Sequence, residues 1–135
     1  FDFGYNHGIF APDEVIRLFP RLEVKWEHKV HERPVCKLPK QKLSGILMHY
    51  TYDSWQQWLD KAGQYTSIWA EDNFSKGKRV GKSAAFTHGI YGFIRAYFLQ
   101  LGFLDGWAGL YSSLQHFFYT LLKYWKLYEL QQKNK

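Results

Sequence analysis

The residues best suited to acid–base chemistry are His31 and Glu32, which stand between Lys29 and Arg33. Neighbouring positive charges favour the ionised form of a carboxylate. An ionised carboxylate on or just after a strand can act as a general base that takes a proton from a hydroxyl nucleophile. The dipeptide alone favours a simpler interpretation, which is an ion pair at the surface.

Two arginines and an aspartate precede this pair. Arg17 and Arg21 surround a short apolar run, and their planar guanidinium groups match the geometry of a diphosphate or a carboxylate. Solvated or structural arginines are the simpler alternative. Asp13 follows a proline, where it can bind a sugar hydroxyl or, as is commoner, stabilise a turn.

A basic segment at residues 76–82 has spacing that is close to a phosphate-binding loop. Its glycines, Gly77 and Gly81, are one residue too close together for that motif, and no apolar strand precedes them. We therefore expect a mobile, solvated loop, or one that touches anionic lipid or phosphate groups. No cysteine–histidine spacing resembles a zinc site.

The amino-acid composition of the chain limits the classes of partner that it is suited to bind. The chain has a net charge of +6, and aromatic residues make up 20% of it. Basic and aromatic residues together indicate a nucleic acid, an anionic membrane surface, or a sugar nucleotide with a phosphorylated glycan. Cys36 is the sole cysteine, which excludes an intrachain disulfide and fits a reducing cytosolic setting.

The elements that must position these residues divide into two parts. Residues 1–52 predict short strands and turns, with strands over 15–19 and 22–35 and a further apolar run over 44–50. Residues 53–131 predict three helices, and 132–135 a polar tail. The fold class is α/β, or α+β within this chain.

Each predicted helix has recognisable end signals. The first begins at Asp53 or Ser54, either of which can cap it, and continues to about Ala70. The second runs from Ser83 or His88 to Leu101, with Gly102 as its C-cap. The third runs from Asp105, as its capping residue, to Gln131.

The third helix contains a stretch without formal charge, residues 106–122. A membrane-spanning helix needs about 20 apolar residues. Polar side chains at Ser112, Ser113, Gln115 and His116 interrupt this stretch. We therefore expect a helix that lies at a membrane surface or in the protein core, and not a span.

The order of the motifs along the chain is more informative than any one of them. They are His7-Gly8, Pro12-Asp13, Arg17-Leu18-Phe19-x-Arg21, Val30-His31-Glu32, His49-Tyr50, Tyr65-Thr66 before Ala70, Gly77-Lys78, Gly102-Phe103-Leu104-Asp105-Gly106-x-x-Gly109 and Lys123-Tyr124-x-Lys126-Leu127. This series resembles the acceptor-side, C-terminal part of bacterial family-two glycosyltransferases. It is similar in particular to the lipopolysaccharide core β-1,4-glucosyltransferases, over nearly the whole chain.

The resemblance implies a GT-A fold whose first half binds a nucleotide-diphosphate sugar. Family members usually hold a divalent cation, Mg²⁺ or Mn²⁺, with an Asp-x-Asp motif. This chain has no such motif, and in the family it lies upstream of the matched region. The resemblance therefore implies that the chain is one part of the enzyme and is inactive alone.

The resemblance also assigns roles to the candidate residues. Glu32 occupies the position of the catalytic base in an inverting displacement, and His31 positions that base or approaches the metal. Arg17 and Arg21 contact the diphosphate or an acceptor phosphate, and Asp13 contacts substrate. The donor sugar is a hexose, with glucose implied by the subgroup.

The implied acceptor is a lipid-anchored glycan at the cytoplasmic face of the inner membrane. The aromatic and basic helices would then hold the enzyme peripherally at that surface. A non-catalytic membrane-surface or scaffold module is the main alternative. Nucleic-acid binding is disfavoured, because no known module is recognisable and the basic residues are spread over several loops.

Overall fold

A computed structural model describes residues 7–10, 16, 18–20, 22–27, 33–35, 37–43 and 53–134. Its elements are β1 (Lys25–Glu27), β2 (Arg33–Val35), α1 (Trp55–Ser75), α2 (Ala84–Ile94) and α3 (Gly106–Lys133). The remaining elements are two short 3-10 turns, at Gly8–Phe10 and Gly102–Asp105, and a π turn at Arg95–Leu99. Short strands followed by three helices confirm the predicted α+β class.

The two strands form an antiparallel pair in which Lys25 faces Val35 and Glu27 faces Arg33. The prediction of one strand over 22–35 is therefore wrong, because the chain reverses between two three-residue strands. The predicted strand over 15–19 is also absent at the described residues 16, 18 and 19. The apolar run over 44–50 lies outside the described residues.

Helix α1 begins as predicted, because Ser54 accepts a hydrogen bond from the Gln57 backbone N–H at 3.2 Å. It continues past Ala70 to Ser75. Its end is a Schellman motif in which Gly77 has a φ of +80° and the Lys78 N–H donates to the Asn73 carbonyl. Only glycine adopts that φ without strain, so Gly77 determines where α1 stops.

Helix α3 is the central element, and α1 and α2 both pack against it. Helix α2 turns a face of small residues towards α3, so that Gly89 lies against the Phe117 ring and Gly92 against the His116 ring. Burial, followed by the charges of Lys123 and Arg95, lowers the pKa of His116. The neutral imidazole is therefore the form that this interface accommodates at neutral pH.

The reversal between α2 and α3 is tighter than a glycine C-cap requires. The left-handed residue is Leu101, with a φ of +58°, and not Gly102 as predicted. A Cβ on Gly102 would lie 2.7 Å from the Ala96 carbonyl oxygen, and a Cβ on Gly109 would overlap the Gly102 carbonyl. Both glycines are thus required by close backbone contact.

We expect Gly109→Ala to destabilise the protein by ~3 kcal/mol, because the added methyl group collides with rigid backbone. Gly63→Ala is the matched control, since a Cβ at that helical position meets nothing within 4 Å. The control should be neutral or stabilise by up to about 1 kcal/mol. Urea denaturation measures both, and equal effects would contradict the contact.

Candidate functional site on the helical hairpin

The predicted catalytic and substrate-binding residues, Glu32, His31, Asp13, Arg17 and Arg21, lie outside the described residues. In the sequence, His31 and Glu32 belong to the segment that joins the end of β1 to the start of β2. Their roles remain predictions. Among the residues that the structure does describe, no three histidine, cysteine or acidic side chains converge to hold a metal ion.

A clasp connects the N-terminal segment to the reversal between α2 and α3. The His7 backbone N–H donates to Asp105 Oδ2, and the His7 Nδ1 lies 2.8 Å from Asp105 Oδ1. The Gly8 N–H donates to the Gln100 carbonyl at 2.9 Å. The Asp105 side chain is only 5% exposed, so these bonds compensate a buried carboxylate.

This clasp corrects the role predicted for Asp105. The residue stands at the N-cap position of α3, but its side chain makes no capping hydrogen bond to the helix. Its carboxylate binds His7 instead, 98 residues away in the sequence. Two of the motifs that carry the family resemblance therefore meet in space.

The hairpin formed by α2, the reversal and α3 exposes many large apolar side chains. We call this set the hairpin apolar surface: Phe86, Ile90, Tyr91, Ile94, Phe98, Leu99, Leu101, Phe103, Leu104, Trp107, Leu114 and Phe118. Residues 86, 90, 94 and 98 recur every fourth position and so share one side of the chain. On α3, the spacing of Trp107, Leu114 and Phe118 likewise places them on one face.

The hairpin apolar surface carries little charge. Between Ala84 and Leu122, besides His88 and His116, the sequence has one basic residue, the exposed Arg95, and one acidic residue, Asp105, whose side chain is buried. Trp107, at the tip, is 84% exposed. Extended exposed apolar surfaces mark sites of contact with proteins or membranes. Within the described chain, no helix has the length and apolarity needed to cross a bilayer.

The basic segment 76–82 is anchored to α3, and not freely mobile as predicted. The Val80 N–H donates to Gln131 Oε1 at 2.6 Å, and Gln131 Nε2 donates back to the Val80 carbonyl at 2.8 Å. The Arg79 guanidinium donates to the Phe74 carbonyl at the end of α1. The loop therefore presents its cations in a restrained arrangement.

Several rickettsial proteins are similar to this chain. Proteins named as uncharacterized glycosyltransferases are 33% identical over 93 residues in Rickettsia typhi and 33% identical over 92 residues in Rickettsia prowazekii. A third, from Rickettsia felis, is 32% identical over 93 residues. The first match covers 69% of this chain and 32% of the relative.

The chain thus spans about a third of the length of these curated relatives. All three relatives are named as glycosyltransferases. No protein-family model matches the chain. No solved structure matches it either.

We expect Asp105→Ala to cost about 2 kcal/mol, because it removes charge-assisted hydrogen bonds from a buried position. Amide hydrogen exchange should accelerate at His7 and Gly8. Asp60→Ala is the control, since that exposed carboxylate accepts a hydrogen bond from Gln56 on the same helix. Unchanged exchange at both amides in Asp105→Ala would refute the clasp.

Proposed function

We propose that this chain is the acceptor-side part of an inverting glycosyltransferase of the GT-A class. The enzyme moves a hexose, glucose by its subgroup resemblance, from a nucleotide-diphosphate sugar to a lipid-anchored glycan of the lipopolysaccharide core type. The observation that carries the proposal is the 33% identity to proteins named as glycosyltransferases. The ordered motifs along the chain support it independently.

In this proposal Glu32 removes the proton from the acceptor hydroxyl as that oxygen attacks the anomeric carbon of the donor. The bond from that carbon to the diphosphate oxygen breaks, and the diphosphate leaves with both bonding electrons. Arg17 and Arg21 offset its negative charge. His31 positions the base, and Asp13 binds a substrate hydroxyl.

A divalent cation, Mg²⁺ or Mn²⁺, belongs to this proposal as the group that supplies further charge to the diphosphate. The described residues offer no set of ligands for it. We propose that its ligands lie mostly upstream of this chain, as the family resemblance implies, and assign it no step here.

In this proposal the helices attach the enzyme to the membrane that holds the acceptor. A lipid-anchored acceptor restricts the enzyme to a membrane surface, and the hairpin apolar surface provides apolar and aromatic area suited to the headgroup region. The exposed cation Arg95 and the absence of exposed acidic residues from 84 to 122 fit an anionic leaflet. We place the protein peripherally on the cytoplasmic face of the inner membrane.

A non-catalytic membrane-surface or scaffold module remains the second candidate. The observation in its favour is the hairpin apolar surface itself, which does not depend on any catalytic residue. A measurement of sugar transfer distinguishes the two candidates, because only the first candidate requires it.

We expect Glu32→Gln to reduce sugar transfer from UDP-glucose to truncated core lipid by 10² or more, while donor binding is retained. The amide cannot accept the proton, although it preserves the shape of the side chain. The assay uses the protein that contains this chain with its donor-binding part. Glu23→Gln, at an exposed position in a turn, is the control.

A mutant with full activity would place the base elsewhere. Absence of transfer by the unmodified protein from every nucleotide sugar tested would favour the scaffold module.

We expect the double variant Trp107→Ser, Phe118→Ser to lose at least tenfold in affinity for vesicles containing phosphatidylglycerol. Each substitution removes a large apolar side chain from the surface, worth about 1.5–3 kcal/mol where it is fully buried on binding. Leu22→Ser is the control, because Leu22 is 97% exposed but lies outside the helices. Co-sedimentation measures the affinity, and equal binding by all variants would exclude the hairpin as the contact.

A further inference from the structure

Lys78 and Lys123 bring their ammonium groups to the same two aromatic rings. The Nζ atoms lie 4.8 and 5.0 Å from the centroid of the Trp69 ring. They lie 5.1 and 5.7 Å from the centroid of the Tyr124 ring. Lys78 follows α1 and Lys123 lies on α3, so packing of the helices creates this pair.

Within the described part of the chain, no carboxylate and no hydrogen-bond acceptor contacts either ammonium group. No described residue therefore neutralises their positive charges. Nearby lysines differ. Lys76 pairs with Asp72 at 2.6 Å, and Lys133 pairs with Glu129 at 2.6 Å.

Lys126 shows how this fold treats a lysine with a purely structural role. Its ammonium has three hydrogen atoms to donate. They are donated to the Gly63 carbonyl at 2.6 Å, Thr66 Oγ1 at 2.9 Å and Ser67 Oγ at 2.8 Å. All of its donors are therefore used within the protein, whereas none of the described residues accepts a hydrogen bond from the Lys78 or Lys123 ammonium group.

The aromatic rings hold the two cations in place without cancelling their charge. A ring face attracts an ammonium through its quadrupole but accepts no proton and carries no net charge. The His88 ring stacks on Tyr124 with centroids 4.1 Å apart and an interplanar angle of 5°, which restrains the Tyr124 ring. The hydrogen bonds between Val80 and Gln131 anchor the segment that carries Lys78.

Holding two cations together is unfavourable in the absence of an anion. Burial, and then the charge of Lys78, lowers the pKa of Lys123. A dianion that contacts both ammonium groups opposes both effects on the pKa, because it supplies opposite charge and hydrogen-bond acceptors at once.

We propose that Lys78 and Lys123, whose ammonium groups both lie against the Trp69 and Tyr124 rings, form a binding site for a phosphate monoester. The monoester carries about −1.5 to −2 charges at pH 7 and three acceptor oxygens, which match two ammonium groups. This site contains none of the proposed catalytic residues and does not require glycosyl transfer. A phosphorylated sugar and a lipid with a phosphate-monoester headgroup share the chemistry that it recognises.

The first experiment titrates the unmodified protein with inorganic phosphate and then with glucose 6-phosphate, while NMR follows the lysine side-chain CH₂ε resonances. We expect saturable shifts at Lys78 and Lys123 that exceed those at Lys76 and Lys133. Shifts of equal size at all four lysines, or shifts that do not saturate, would show a diffuse response to charge and overturn the proposal.

The second experiment compares variants that each lose one positive charge. Lys78→Gln and Lys123→Gln should each weaken glucose 6-phosphate binding about tenfold or more, since each removes a positive charge and a charge-assisted hydrogen bond. Lys76→Gln and Lys133→Gln are the controls on the same loop and the same helix. Equal weakening in all four variants would contradict a defined site.

A third arm identifies the source of the phosphate. Vesicles of phosphatidylcholine with phosphatidate present a monoester, whereas vesicles with phosphatidylglycerol present a diester of the same sign. Preference for phosphatidate that is lost in Lys123→Gln assigns a lipid headgroup. Saturable glucose 6-phosphate binding without that preference assigns a phosphorylated sugar, and failure of both ligands to bind rejects the site.

Discussion

The contact between the backbone of Gly109 and the carbonyl group of Gly102 is the constraint on which the helical part depends. It brings the first turns of α3 directly onto the reversal that follows α2, at a distance that no side chain permits. In the same reversal, Leu101 adopts the left-handed region and the Asp105 carboxylate meets His7. The chain reversal, the start of α3 and the N-terminal clasp are thus packed together as one unit.

Close approach of the helices also explains the unusual distribution of apolar residues. The buried residues of α2 are Ala85, Gly89 and Gly92, and the two glycines lie against His116, Phe117 and Thr120 of α3. Small side chains allow tight packing but remove little apolar area from water. Tyr124 and Leu127 are buried, but many other large aromatic and aliphatic residues of the hairpin remain exposed, as at surfaces that contact proteins or membranes.

The sequence predicts the parts of this structure that local chemistry determines. Ser54 marks the start of α1 because a capping hydroxyl acts within three residues, and the three helices follow from periodicity and glycines. The hairpin of β1 and β2 was not predictable, since a three-residue strand carries almost no pattern. The contact of Asp105 with His7 and the convergence of Lys78 with Lys123 depend on packing between distant segments, for which one sequence holds no signal.

The geometry of α3 bears on which phosphate the lysine pair would meet. Trp107, Leu114, Phe118 and the exposed Trp125 form a stripe that runs along most of the helix, which suits a helix lying parallel to a membrane surface. Lys123 precedes Trp125 by two residues and so points about 200° around the helix from that stripe. With the stripe on the bilayer, the lysine pair faces away from the lipid headgroups. That orientation favours a phosphate carried on a sugar beyond the membrane surface over one carried by a lipid in it.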